Sequence, residues 1–345
     1  EMDRIPDSAA VNESVELTKK YCKKQKNAPG LVNAVLRNAV RRVEELEEPT
    51  SYEELYSHPE ALLKLLKPYV GKGNLEPMLR ANNAAAPTVI QVNTLKISAG
   101  ELAERLKAEG VGVQPHRWME DCFVLDNPGD LEHLRSFREG LFYVQDPAAK
   151  LSVLCAQLPR DSAVLDCCAA PGGKTFAAAI AMDGKGKIRS CDIHRHKTTL
   201  IQKGADRLGL HNVLVREQNA TENHPAWFEK MDVVIADVPC SGLGIIRKKP
   251  DIRYKDLGEL KELPKLQLAI LENQATYVKK GGVLLYSTCT VLPEENINIV
   301  TDFLSRHKDF EAYEQKEHTS GWYSALFPNM KHSDGFFIAT MRKIG

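Results

Sequence analysis

The chain has 345 residues, with 46 Lys+Arg balancing 46 Asp+Glu and 43% apolar residues. At roughly 100–200 residues per domain this suits two or three domains with real cores, and it excludes a disordered chain, a collagen-like fibre and a small disulfide scaffold. No apolar run approaches the ~18 residues that span a bilayer, and no signal peptide is expected; zero net charge argues against nonspecific coating of nucleic acid but leaves room for a local basic groove.

The first fifty residues read as helical. Val11, Val15 and Leu17, then Leu31, Val32, Val35, Leu36 and Val40, recur at helical spacing, with a break at Pro29-Gly30. Between Leu17 and Val43 stand Lys19, Lys20, Lys23, Lys24, Lys26, Arg37, Arg41 and Arg42 with no acid, and Glu44, Glu45, Glu47 and Glu48 follow at once. Such a run is either a solvated helix face or an RNA-facing surface. Two short helices make a poor core, so further residues are expected upstream of Glu1. Pro49-Thr50 reads as a linker.

From about 51 to 145 the pattern is that of a small α+β unit. His58–Val70 reads as a helix with Leu62, Leu63, Leu65 and Leu66 on its apolar face, and Thr88–Asn93 as a strand. Ser98 is placed to cap a helix that stops at Gly110. Cys122–Leu125 and Leu141–Gln145 read as strands flanking another helix. From Ser162 strands and helices alternate. Ala163–Asp166, Gly186–Asp192, Val213–Glu217, Asp232–Asp237 and Gly282–Thr288 are strands, Lys197–Leu208 and Leu266–Val278 helices, and Gly335–Arg342 a last strand. Short apolar strands of this kind build a doubly wound α/β sheet buried on both faces, whose ligands bind beyond the strands' carboxyl ends.

The eight cysteines, at 22, 122, 155, 167, 168, 191, 240 and 289, contain no C-x-x-C pair, so no zinc site is expected. Reduced thiols in a cytoplasm are expected instead, and the question is whether one is a nucleophile.

Asp166-Cys167-Cys168-Ala169-Ala170-Pro171-Gly172-Gly173-Lys174-Thr175 runs from a strand end into a helix. It is not a P-loop, because that pattern needs glycine where Cys168 stands, and the G-x-G-x-x-G fingerprint is absent. What remains is a glycine turn that lets a ligand approach backbone at a helix N-terminus, where a plain tight turn is the bland alternative. Asp192 ends the next strand, where an acid can hold two ribose hydroxyls; the pair suits a nucleoside cofactor without a phosphate chain.

Asp237-Val238-Pro239-Cys240 and Thr288-Cys289 end the fourth and fifth strands, which are neighbours in a doubly wound sheet. Either cysteine alone is more simply a buried structural thiol, and a nucleophile near pKa 8.5 needs activation. Two thiols on adjacent strand ends beside Asp237 favour chemistry. The loop after Cys240 carries Arg247, Lys248, Lys249, Arg253 and Lys255 against Asp251, with Tyr254 available for stacking. It suggests a phosphate-bearing substrate, with a solvated loop as the alternative.

These motifs resemble the RNA cytosine-C5 methyltransferase family, a class I S-adenosylmethionine-dependent fold, and most closely its bacterial members acting on 16S rRNA. Arg4-Ile5-Pro6, Val11-Asn12-Glu13, Leu31 to Arg37, Val144-Gln145-Asp146, Arg247 to Asp251, Leu292-Pro293-Glu294-Glu295-Asn296 and Asp334 to Phe337 extend the likeness over almost the whole chain. The resemblance implies three parts: the end of a NusB-like helical RNA-binding domain over 1–48, an α+β RNA-binding subdomain over 49–145, and a Rossmann-like catalytic domain over 146–345. It implies a cofactor pocket lined by Cys168, Ala169, Ala170, Pro171, Gly172, Gly173, Lys174, Asp192, Asn219 and Asp237, with Asn219 where relatives usually carry Asp. RNA is expected at Arg247, Lys248, Lys249, Arg253, Arg37 and Arg41.

C5 of cytosine is too electron-poor to attack a methyl sulfonium until a thiolate adds to C6. The sequence leaves open which cysteine attacks; the resemblance assigns attack to Cys289 and product release to Cys240, with Asp237 favouring N3 protonation. Lys174 either reaches the site or caps its turn. The target base must be unstacked. The expected molecule is a monomer that needs no metal or membrane. Alternatives are another RNA such as tRNA or 23S rRNA, a DNA enzyme attacking through Cys240, and a non-catalytic RNA-binding module.

Overall fold

The computed structural model of the chain describes residues 5–45, 49–71, 73–314, 321–330 and 333–345, with no side chain described for Glu44. Arg4, Glu47 and Glu48 lie outside the described residues. The chain divides into two compact units, Glu1–Leu55 and Tyr56–Gly345.

In the first unit α1 (Asp7–Tyr21) packs on α2 (Ala28–Arg41). Pro29 starts the second helix rather than separating the two, since proline's missing N–H costs nothing in the first turn. Val11 is buried, while Leu17, Leu31 and Val35 stay exposed. A short α3 (Tyr52–Tyr56) follows.

The second unit begins with α4 (Glu60–Leu66) and α5 (Leu75–Asn83). The helix expected over His58–Val70 is shorter at both ends: Pro59 takes the N-cap position, and Pro68 has no N–H to continue the ladder. A four-stranded antiparallel sheet then forms from β1 (Thr88–Val92), β2 (Gly112–Pro115), β3 (Cys122–Asp126) and β4 (Phe142–Val144), in the order β2-β3-β1-β4. Helix α6 (Ala99–Ala108) opens with a complete capping box between Ser98 and Glu101, and α7 (Arg135–Arg138) precedes β4. Leu102, Leu106, Phe123 and Phe142 close a small core.

Beyond α8 (Pro147–Leu154) the chain alternates β5 (Ala163–Asp166), α9 (Gly173–Ala181), β6 (Lys187–Asp192), α10 (Arg195–Leu208), β7 (Val213–Glu217), β8 (Met231–Asp237), α11 (Leu263–Ala275), β9 (Val278–Thr288) and α12 (Ile297–Arg306). β10 (Phe310–Ala312), β11 (Tyr323–Leu326) and β12 (Phe336–Lys343) complete a sheet ordered β10-β12-β9-β8-β5-β6-β7, with β11 on β12. Val278, expected at the end of a helix, instead starts β9, where it pairs with Met231. Alternation across the strands sorts residues onto two faces. Val233, Ile235 and Leu285 pack under α8, α9 and α10, while Val234, Ala236 and Leu284 pack under α11 and α12. This is the doubly wound fold. β5 and β6 pair in parallel, as do β8 and β9, so Asp166, Asp192, Asp237 and Ser287 all emerge at one edge of the sheet.

Candidate active site

β5 delivers Asp166, and the Cys167–Gly172 turn carries the chain into α9. Gly172 has φ +114°, and a Cβ there would lie 2.4 Å from the Phe176 ring, so only glycine closes this turn. Asp166 is fully buried and accepts from Thr175 Oγ1 at 2.8 Å through Oδ2, while its Oδ1 has no hydrogen-bond partner. Burial pushes its carboxyl up to about 7. Asp192 is buried at the end of β6 and accepts from His194 N through Oδ1.

A nucleoside cofactor bearing an amino-acid tail fits this edge. Asp192 suits a ribose diol, the α9 N-terminus suits a carboxylate, and the orphaned Asp166 oxygen leaves an acceptor unused by the protein. Asn219 has its Oδ1 taken by Thr221 N and Oγ1, and its Nδ2 donates to Glu222, so the amide serves its own turn.

The register Asp237↔Ser287 sets the second half of the site. Ser287 Oγ donates to Asp237 Oδ1 at 2.7 Å, and Lys174 Nζ lies 2.7 Å from Asp237 Oδ2 and 4.9 Å from the Phe336 ring centroid. Lys174 therefore spans from the glycine turn to the end of β8, and does more than cap that turn. Three residues past Asp237 and two past Ser287, the Cys240 and Cys289 sulfurs stand 3.3 Å apart. Their loops are drawn together by Gly244 N donating to Cys289 O, and a Cβ at Gly244 would lie 2.2 Å from Gly335 O.

The two thiols are not equivalent. The hydrogen bond from Cys240 holds Cys289 below the ordinary thiol value against the cost of its burial, and the Lys174 charge acts in the same direction. Cys240 is pushed well up by that same hydrogen bond, by burial, and by the charges of Glu295 and Asp237. Either sulfur can donate in this contact, and the surrounding charges favour Cys289 over Cys240 as the one that ionises first.

The basic loop after Cys240 is largely turned inward. Arg247 Nε donates to Asp334 at 2.9 Å, and its Nη2 is 3.8 Å from Asp146. Lys248 Nζ lies 2.6 Å from Asp334 and 3.2 Å from Asp146, and burial pushes Asp334 up to about 6. Arg253 donates to Ser57 O, Asn82 O and Asn83 Oδ1, and Lys255 to Ser241 O. Lys249 and Tyr254 are exposed. In the first unit Arg37 and Arg41 are exposed, and Arg37 donates to Asn33 within its own helix.

Sequence reasoning missed Ser287, whose part is visible only in the strand register, and the Glu295 carboxyl. The latter lies in a segment quoted only for its family likeness. Among the described residues no cluster of His, Cys, Asp or Glu could hold a metal ion, and no helix is long and apolar enough to cross a membrane.

Known proteins converge on one group. Residues 153–342 match the model of the 16S rRNA methyltransferase RsmB/F family, 58–132 that of the RsmF/B-like ferredoxin-like domain, and 1–41 that of the NusB family. A probable ribosomal RNA small subunit methyltransferase B of Bacillus subtilis is 34% identical over all of this chain and 80% of its own length. The ribosomal RNA small subunit methyltransferase B of Vibrio cholerae is 33% identical over 99% of this chain and 78% of its own. The crystal structure of PH0851, 26% identical, superposes with a TM-score of 0.86 over 98% of this chain and 77% of that one.

Proposed function

The chain belongs to the RsmB/F family of 16S rRNA methyltransferases, which are S-adenosylmethionine-dependent, and from that premise we propose that it methylates C5 of a cytosine in 16S rRNA through a covalent adduct to Cys289. The observation that carries this reading is the pair of sulfurs 3.3 Å apart at the carboxyl ends of β8 and β9, beside the Lys174–Asp237 ion pair.

The Cys289 thiolate attacks C6 of an unstacked cytosine, forming a carbon–sulfur bond and leaving C5 nucleophilic. Asp237, steered by Ser287 and Lys174, faces the ring edge, where it stabilises the protonated N3 that accompanies addition. S-adenosylmethionine supplies the electrophilic methyl group that C5 accepts. Cys168 to Lys174, Asp192 and Asp237 would hold the cofactor, with Asn219 shaping the turn that follows β7. Water takes the C5 proton as the C5–C6 double bond re-forms and Cys289 leaves as thiolate, with Cys240, held as a thiol by its raised pKa, beside it to assist release. On the substrate side Arg37, Arg41 and Lys249 contact phosphates, while Arg247, Lys248 and Arg253 shape the loop. Residues 1–48, 49–145 and 146–345 divide the work between RNA capture, RNA positioning and catalysis.

The test is transfer of labelled methyl from S-adenosylmethionine to unmethylated 16S rRNA, followed by nucleoside analysis. Label in 5-methylcytidine supports the reading. Label in any other nucleoside, or in tRNA or 23S rRNA in preference, overturns it.

A further inference from the structure

Two loops from different strands must hold two sulfurs in hydrogen-bond contact, and loops do not do so unaided. The structure shows what holds them. Glu295, which is 1% exposed, accepts through Oε2 from Ser241 N at 2.8 Å and from Gln267 Nε2 at 2.8 Å. Gln267 Nε2 also donates to Pro239 O at 2.9 Å, so both residues flanking Cys240 are tied to this one carboxyl. Its other oxygen accepts from Thr290 Oγ1 at 3.3 Å, and that hydroxyl pairs with Ser241 Oγ at 2.6 Å. Asn296, 4% exposed, accepts from Thr288 Oγ1 and donates to Thr290 O at 3.1 Å, binding both residues that flank Cys289. The Glu295 backbone carbonyl accepts from Tyr286 OH, which anchors the segment to β9.

We propose that Glu295 and Asn296 are positioning residues for the methyl-transfer reaction: consecutive side chains, one gripping the Cys240 loop and the other the Cys289 loop, that set the distance between the two sulfurs. The proposal rests on the two-cysteine reading above. Neither side chain is placed to touch substrate; each acts through the backbone and hydroxyls beside a cysteine. A buried carboxyl surrounded by donors is costly to assemble, and four hydrogen bonds converging on the flanks of two catalytic thiols give it a reason to be there. Besides Cys240, the charged groups facing Cys289 are Asp237 from β8, Lys174 from α9 and Asp334 ahead of β12. None of these is touched by changing the clamp; Glu295→Ala also removes a negative charge that acts on Cys240, whereas Glu295→Gln and Asn296→Ala are compared for the hydrogen bond itself, Asn296→Ala changing no charge.

The experiment compares wild type with Glu295→Ala, Glu295→Gln and Asn296→Ala, following methyl transfer to 16S rRNA and the pH midpoint of Cys289 alkylation by iodoacetamide. In Glu295→Ala the kcat falls about a hundredfold, as for a reacting group displaced by about an ångström. KM for S-adenosylmethionine stays within about twofold, since ground-state cofactor binding is untouched. The Cys289 midpoint rises as the hydrogen bond from Cys240 breaks. Glu295→Gln keeps an oxygen for Ser241 N and recovers kcat to within about tenfold of wild type. Wild-type kcat in folded Glu295→Ala overturns the proposal, and so does a low kcat with an unmoved alkylation midpoint. Should Glu295→Ala fail to fold, Glu295→Gln and Asn296→Ala carry the same two readouts. Wild-type turnover by Cys289→Ala would instead sink the two-cysteine reading, while the alkylation midpoint still reports on the clamp.

Discussion

Two stretches of this chain carry a dense run of basic residues, and the fold uses them in opposite ways. On α1, α2 and the turn between them the cations point outward: Lys23, Lys24, Lys26 and Arg41 are exposed and make no ion pair among the described residues. After Cys240 the cations other than Lys249 are spent on the protein itself. The Arg247 side chain is 8% exposed and grips Asp334 and Asp146, and Arg253 and Lys255 are tied to backbone carbonyls. Charge density in a sequence is therefore silent on direction. An outward cation can neutralise a phosphate and release its counterions; an inward one commits its donors to the scaffold.

The largest effect expected from this contrast is on stability. Arg247→Ala leaves Asp334 and Asp146 buried beside Lys248 alone, and should cost about 3–5 kcal/mol, read by urea denaturation. A loss under about 0.5 kcal/mol would place Arg247 with the ordinary surface residues and break the comparison.

Reversing Lys23, Lys24, Lys26 and Arg41 to Glu should do the opposite, leaving stability within about 0.5 kcal/mol. If these side chains meet RNA, affinity for 16S rRNA falls and the slope of log K against log salt drops by roughly 0.7–0.9 for each phosphate no longer neutralised. An unchanged slope would reduce this face to a solvated surface.

A smaller effect sharpens the inward case. His58 is buried, donating through Nδ1 to Tyr56 O and accepting from Asn82 Nδ2, with Arg253 nearby. Burial, aided by the Arg253 charge, lowers its pKa from 6.5 to about 4. The native state therefore keeps this ring neutral where the unfolded chain binds a proton, so its contribution to stability is intact above 6.5 and is lost as the pH falls to about 4. Arg253→Met should move the His58 midpoint upward in a proton NMR titration. No movement would mean that burial alone keeps the ring neutral.

The same contrast shows what a sequence makes legible. The sheet could be read because strands buried on both faces are short apolar runs, and the glycine turn because Gly172 has a φ that only glycine takes up easily. The placing of Asp237, Cys240 and Cys289 on neighbouring strand ends followed from topology alone. What stayed hidden depends on partners distant in sequence. Asp146 meets Lys248 across 102 positions and Asp334 meets Arg247 across 87, and no local pattern announces either. Strand β2 escaped notice because Gly112–Pro115 lacks alternation, being largely exposed at a sheet edge. The Glu295 clamp was in view as a string of letters, yet its meaning needs Ser241 and Gln267 brought to it by the fold.

The proposed mechanism stands on two sulfurs 3.3 Å apart dividing the reaction between them. That division is tested by incubating Cys289→Ala and Cys240→Ala with labelled S-adenosylmethionine and unmethylated 16S rRNA, then separating the products on a denaturing gel. Cys289→Ala should give no methyl transfer and no adduct, and Cys240→Ala a protein–RNA adduct that survives denaturation. Wild-type turnover by Cys289→Ala, or an adduct formed by that variant, would contradict the mechanism.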